Sequence, residues 1–238
     1  MAKSRIIKEL ANSEVTISTA LKRTKVLLQE LDNQEILNWV NYEIEGYPKG
    51  EDVPEYRMIT GQLRGNYFKG SMASHMTYKN VPLPLGKMPD ETKRDFLIRP
   101  ITEGIEALNE TIEQTDKGGT FAFVVPADFY PIIAHFNNDP YMMIVSANVE
   151  LSIPQIRNIF SKVESKLLDI LAFLEKKFGL LDELDIDVEA KTDEEIKEII
   201  NHIYYIIFND NSVEIGDKNK INNSTISSQI TEKTMEEK

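Results

Sequence analysis

The hydrophobic and polar positions divide the chain into helical ends around a β-rich middle. Between Ser13 and Leu31, apolar residues recur at Ile17, Leu21, Leu28 and Leu31 with Thr24 in step. That 4-3-4-3 spacing places them on one helical face. Ser13 is the predicted N-cap. A second helix is predicted over residues 34–45, with Ile36, Leu37, Val40 and Ile44 turned inward, Asn33 as its cap and Gly46 where a left-handed residue ends a helix. The short join at Asp32-Asn33 makes the two a helical hairpin.

After Pro54 the period changes. Residues 56–65 alternate in part and are flanked by glycines, which predicts a strand. Tyr67 to Pro89 reads as strand and loop, with Val81-Pro82-Leu83-Pro84 held extended by its prolines. Pro100 is predicted to open a helix carrying Ile101, Ile105, Leu108 and Ile112 up to a turn at Gly118-Gly119. Residues 120–125 and 141–151 are β-rich, with a short helix from Asp128 to Phe136 between them. Ser152-Ile153-Pro154-Gln155 has the form of a capping box. It opens the clearest helix, whose apolar face runs from Ile156 through Val163, Leu167 and Leu171 to Phe178 before Gly179. A second box, Thr192 to Glu195, starts a last helix lined by Ile196, Ile199, Ile203 and Ile207.

The expected fold is α+β, with an N-terminal helical hairpin, a central mixed or antiparallel sheet between residues 56 and 151, and long C-terminal helices. Three stretches follow. Residues 1–179 form an α+β domain, 180–208 an acidic linker and C-terminal helix, and 209–238 a polar tail whose end has the composition of a disordered segment.

Composition narrows the function classes. At 41 % hydrophobic residues over 238 positions, the chain can bury a sizeable core. It has no cysteine, which excludes disulfides, thiolate nucleophiles and cysteine-ligated metals. The net charge of −12 opposes nucleic acid and anionic membrane surfaces. Charge returns at Lys8 and Glu9 before any apolar signal region can form, and no stretch approaches the ~20 apolar residues that span a bilayer. A cytoplasmic location is expected.

One segment is specific. The chain reads Ile36-Leu37-Asn38-Trp39-Val40-Asn41-Tyr42-Glu43-Ile44-Glu45-Gly46-Tyr47 and then Val53-Pro54-Glu55-Tyr56-Arg57. A helix bearing Trp, a Glu four residues on, Gly-Tyr after it and Pro-x-Tyr-Arg entering a strand resembles the hallmark of the AbiTii family of bacterial abortive-infection proteins. The resemblance spans residues 1–179. It implies a role in a phage-triggered halt of the host cell and carries over no catalytic mechanism. It also implies, in many members, a further C-terminal domain, where this chain has a helix and a polar tail.

The same residues have a physical reading. Trp39 and Glu43 share a helical face. Gly46-Tyr47 reverses the chain, so that Arg57 can return to pair with Glu43 while Trp39 and Tyr56 pack beside the guanidinium. Trp39, Glu43, Tyr47, Tyr56 and Arg57 are therefore either a structural staple or a pocket. Elsewhere, His75, His135 and His202 lie in separate segments without acidic companions at ligand spacing, so no metal and no cofactor are expected. Gly61–Gly65 and Gly65–Gly70 lack the spacing of a phosphate loop, and Ser71, Ser74 and Ser146 lack a nucleophile elbow. In the tail, Val213, Ile215, Ile221 and Ile226 stand among Asn, Gly and Ser, a pattern of short strands suited to β-augmentation of a protein partner or another copy. The reading favours a non-enzymatic defence component acting as sensor, adaptor or scaffold through that tail. The alternative is a toxin-like enzyme acting on a nucleotide or nucleic acid from a pocket near Glu43 and Arg57.

Overall fold

A computed structural model describes residues 3–71, 73–116 and 120–209. Its first helix, α1 (Arg5–Ala11), has no counterpart in the sequence reading. Seven residues hold too few turns for a period to stand out. The predicted hairpin is present as α2 (Ile17–Gln29) and α3 (Gln34–Glu45). The cap of α2 is Thr16, whose hydroxyl accepts from the Thr19 amide, while Ser13 has a left-handed φ of 57° and belongs to the preceding turn. Asn33 caps α3 as expected, its side chain accepting from the Ile36 amide at 3.0 Å. Such a cap stabilises a helix by about 1 kcal/mol.

Among the described residues, the middle of the chain builds two antiparallel sheets. A 3-10 turn (Glu55–Arg57) leads into β1 (Met58–Thr60), which pairs with β4 (Ile98–Pro100). The second sheet has the order β3-β2-β6-β5, from β2 (Gln62–Ser71), β3 (Ser74–Pro82), β5 (Ala122–Val124) and β6 (Met143–Glu150). The predicted strand over 56–65 is therefore split at Gly61 between two sheets. Leu63, Tyr67, Ile144, Ala147 and Val149 turn one face of the larger sheet to the core. The register slips between Asn66 and Tyr67, leaving Val145 as the extra residue of a bulge.

Two further helices lie between strands, α4 (Asp90–Leu97), unforeseen from the sequence, and α6 (Tyr130–Phe136), which follows a 3-10 turn. The helix expected from Pro100 begins later, as α5 (Ile105–Asp116). Pro100 pairs with Met58 in β4, so the early part of the 101–112 stripe is buried from a loop. Gly118-Gly119 lies outside the described residues.

The long helix α7 (Ile153–Phe178) and the last helix α8 (Asp193–Phe208) stand where the stripes put them. Thr192 and Glu195 form a complete capping box. Ser152 does not, since its side chain makes no cap hydrogen bond and only its carbonyl accepts from Gln155. One hydrophobic cluster runs from Ile6 to Ile207, taking in Leu21, Trp39, Val149, Ile170 and Ile203. Leu181 and Ile186, in the acidic stretch before α8, are buried in it too. No helix among the described residues is long and apolar enough to cross a membrane.

Candidate functional site

The hallmark residues converge where α3 ends, the 3-10 turn begins and the β4–α5 loop passes. Gly46, with φ of 105°, turns the chain out of α3. A Cβ there would sit 2.9 Å from the Thr102 carbonyl oxygen, and one on Gly104 only 2.3 Å from that of Ile44. The two glycines thus let the helix end and the β4–α5 loop press together, and the Tyr47 amide donates to Thr102 at 2.7 Å.

Into this junction Arg57 brings its guanidinium. Its Nη2 donates to Glu43 Oε2 at 2.6 Å and its Nε to Oε1 at 3.1 Å, a bidentate pair. Nη1 donates to the carbonyls of Ile101 (2.9 Å) and Glu103 (2.8 Å), fixing the β4–α5 loop. Glu43 Oε1 also accepts from the hydroxyls of Tyr47 (2.7 Å) and Tyr56 (2.6 Å). Trp39 Nε1 in turn donates to the Tyr56 oxygen at 2.9 Å. The five residues named from the sequence are thus one network. The ring beside the guanidinium is that of Tyr47, 5.0 Å from its centre, while Trp39 and Tyr56 act mainly through hydrogen bonds.

Both charged side chains have 0 % exposure. Burial, then the charge of Glu43, pushes the Tyr47 and Tyr56 hydroxyls far above the ordinary tyrosine range, so both stay protonated as donors. A tyrosine serving as base or nucleophile requires the opposite shift. For Arg57 burial opposes the charge, but the Glu43 carboxylate outweighs it and holds the guanidinium more firmly protonated. A cleft of about 570 Å³ touches only Tyr56 of the five, between Glu55, Thr60 and Gln155, and an apolar cavity of about 510 Å³ lies between Phe68, His75 and Tyr141.

A family model described as AbiTii matches residues 4–199. The chain belongs to the AbiTii family. The match runs past residue 179 to 199, so the first seven of the sixteen residues of α8 are part of what the AbiTii chain shares with its family. Membership makes it a protein of abortive infection, that is, of antiphage defence. No curated protein and no solved structure matches the chain.

Among the described residues, no group of three or more His, Asp or Glu is placed to hold a metal ion. His75 meets Phe68 edge-on, His135 neighbours Phe136 and His202 stacks on Phe173, each in a different part of this AbiTii fold. Val213, Ile215, Ile221 and Ile226 lie outside the described residues. One participant escaped the sequence reading. Lys166 of α7 places its ammonium 5.4 Å from the centre of the Tyr56 ring. Its signal was available, since a lysine between Val163 and Ile170 interrupts an otherwise apolar face.

Proposed function

We propose that this AbiTii protein is a non-enzymatic component of antiphage defence, a sensor, adaptor or scaffold that works through protein–protein contacts made by residues 209–238. The observation that carries this reading is the state of the Glu43–Arg57 pair. Carboxylate and guanidinium spend their hydrogen bonds on Tyr47, Tyr56, each other and the Ile101 and Glu103 carbonyls. With four of the five guanidinium N–H groups committed and both side chains at 0 % exposure, the pair positions backbone and is closed to a substrate. The family's hallmark then serves architecture, and activity has to come from a surface. The net charge of −12 further disfavours a nucleic-acid substrate. The polar tail, with Val213, Ile215, Ile221 and Ile226 spaced for strand addition, is the contact that the sequence offers.

Phage challenge of host cells tests this with three variants, Glu43→Gln, Arg57→Met and a truncation after Phe208, each checked for folding by circular dichroism. Loss of protection on truncation, with protection kept by folded Glu43→Gln and Arg57→Met chains, is the expected outcome. If a well-folded Glu43→Gln chain alone loses protection, the reading fails in favour of a pocket that acts on a nucleotide or nucleic acid.

A further inference from the structure

The last helix is held at its two ends in different ways. Its start is capped from within, by the reciprocal bonds of Thr192 and Glu195. Its last turn has no basic residue of its own. The carbonyls of Ile206 and Ile207 belong to the final four of the helix, which have no intrahelical donor. Both accept from Lys166 Nζ, each at 2.9 Å. Lys166 is 7 % exposed and stands on α7, so α8 takes its C-terminal cap from a neighbouring helix. A cation there also suits the negative end of the helix dipole. The same ammonium faces the ring of Tyr56, whose hydroxyl donates to Glu43. One side chain thus joins the end of α8 to the buried pair.

A second observation sets α8 apart. Ile199, Ile203 and Ile207 are at most 1 % exposed and form its seat, yet Tyr204, Tyr205 and Phe208 are 44–45 % exposed on other sides. Apolar surface around so much of the circumference suits a helix that makes contacts on more than one side. A buried ammonium is stable only while its acceptors are in place, so the seat and the cap hold or fail together.

We propose that α8 is a releasable element and that Lys166 is its latch. Undocking frees the Ile199–Ile203–Ile207 stripe, while α2 and α3 stay folded. That this release serves partner contact rests on the function proposed above. The latch itself does not.

Hydrogen exchange on the full-length chain tests it. In Lys166→Met, amides of residues 193–208 should exchange at least about tenfold faster, with α2 and α3 unchanged. Unchanged or slower exchange in α8 overturns the latch, and so does loss of protection in α2 and α3 together with α8. Should Lys166→Met fail to fold, the wild-type chain in sub-denaturing urea decides. There α8 should open at lower urea than α7, and exchange of α8 only through global unfolding overturns the proposal. Phage protection is read separately. A Lys166→Met chain with the expected exchange pattern but unaltered protection keeps the latch and removes the role given to release.

Discussion

Glu43 and Glu175 each gather donors from other elements, yet they sit in opposite surroundings. Glu43 is sealed among Tyr47, Tyr56 and Arg57 with no exposure. Glu175, near the end of α7, keeps 12 % of its side chain exposed and binds the start of the chain. It accepts from the Ser4 amide, from the Ser4 hydroxyl at 2.7 Å and from Lys3 Nζ at 2.6 Å. Beside it Asp182 accepts from the Arg5 amide at 2.6 Å, and the Ser4 hydroxyl accepts from Leu181 at 3.0 Å. Carboxylates from the far end of the chain thus occupy the positive end of α1. The chemistry of the two clusters is alike, and access to water sets what each loses when a partner is removed. A bared charge at Glu175 can be hydrated, but one at Glu43 cannot.

The largest predicted effect follows at the sealed pair. Arg57→Met leaves the buried Glu43 carboxyl dry and without its cation, and should cost about 3–5 kcal/mol. Urea unfolding should show this as a lower midpoint at unchanged slope. The double variant Glu43→Gln/Arg57→Met should cost much less than the sum of the singles, because no charge is left stranded. A single-variant loss under about 1 kcal/mol would remove the contrast with Glu175, since that is the range of solvated pairs. Alkali probes the same network. Tyr47 and Tyr56 have folded pKa values raised by burial and by Glu43, so the unfolded chain gives up these protons first. Stability should therefore be intact below the ordinary tyrosine value of 10.0 and fall as pH rises beyond it. Tyr47→Phe should flatten that fall.

The two clusters also differ in how far the sequence shows them. Glu43, Tyr47, Tyr56 and Arg57 lie within fifteen consecutive residues, and helical spacing plus a reversal at Gly46 is enough to bring them together. Even there, periodicity could not say which ring would meet the guanidinium, because that depends on the close approach of Gly46 and Gly104 across the fold. Glu175 and Ser4 are 171 residues apart, and no local pattern links them. The long amphipathic helices were legible for the same reason that α1 and α4 were not, since a stripe needs several turns to emerge. The helix read from Pro100 is the counterexample. Ile101 fits the stripe at 4-3-4 spacing, yet it is buried from a loop, its amide donating to the Arg57 carbonyl.

A smaller effect is expected at Glu175. Burial would raise its pKa, but the hydrogen bonds from Lys3 and Ser4 hold it down at about 2. A depressed carboxylate adds stability that is fully present above its ordinary value of 4.5 and is lost as pH falls from there toward 2. Glu175→Gln removes this contribution and should cost about 1.5–3 kcal/mol at neutral pH, the range of a hydrogen bond to a charged group. The loss should be local. Hydrogen exchange should quicken in α1 and leave α3 unchanged, and acid unfolding of the variant should be less steep between those pH values. Equal quickening in α1 and α3 would mean that the N-terminal clasp is part of the core and not a separate fastening.

The smallest effect is expected where a distance alone would suggest a large one. Lys3 Nζ lies 2.6 Å from Glu175 Oε2, as close as Arg57 Nη2 lies to Glu43 Oε2. Lys3, however, keeps 56 % of its side chain in solvent, where water replaces the lost partner and salt screens the attraction. Lys3→Ala should therefore cost no more than about 0.5 kcal/mol, and less as salt is raised. Glu175→Gln should be nearly indifferent to salt, because what it weakens is chiefly the capping of the Ser4 amide and hydroxyl. Measured side by side in low and high salt, the two variants separate the ionic from the capping contribution at this carboxylate. If Lys3→Ala costs as much as Glu175→Gln, the clasp is ionic. The two carboxylates would then differ in the strength of their ion pairs, and exposure to water would no longer account for the contrast.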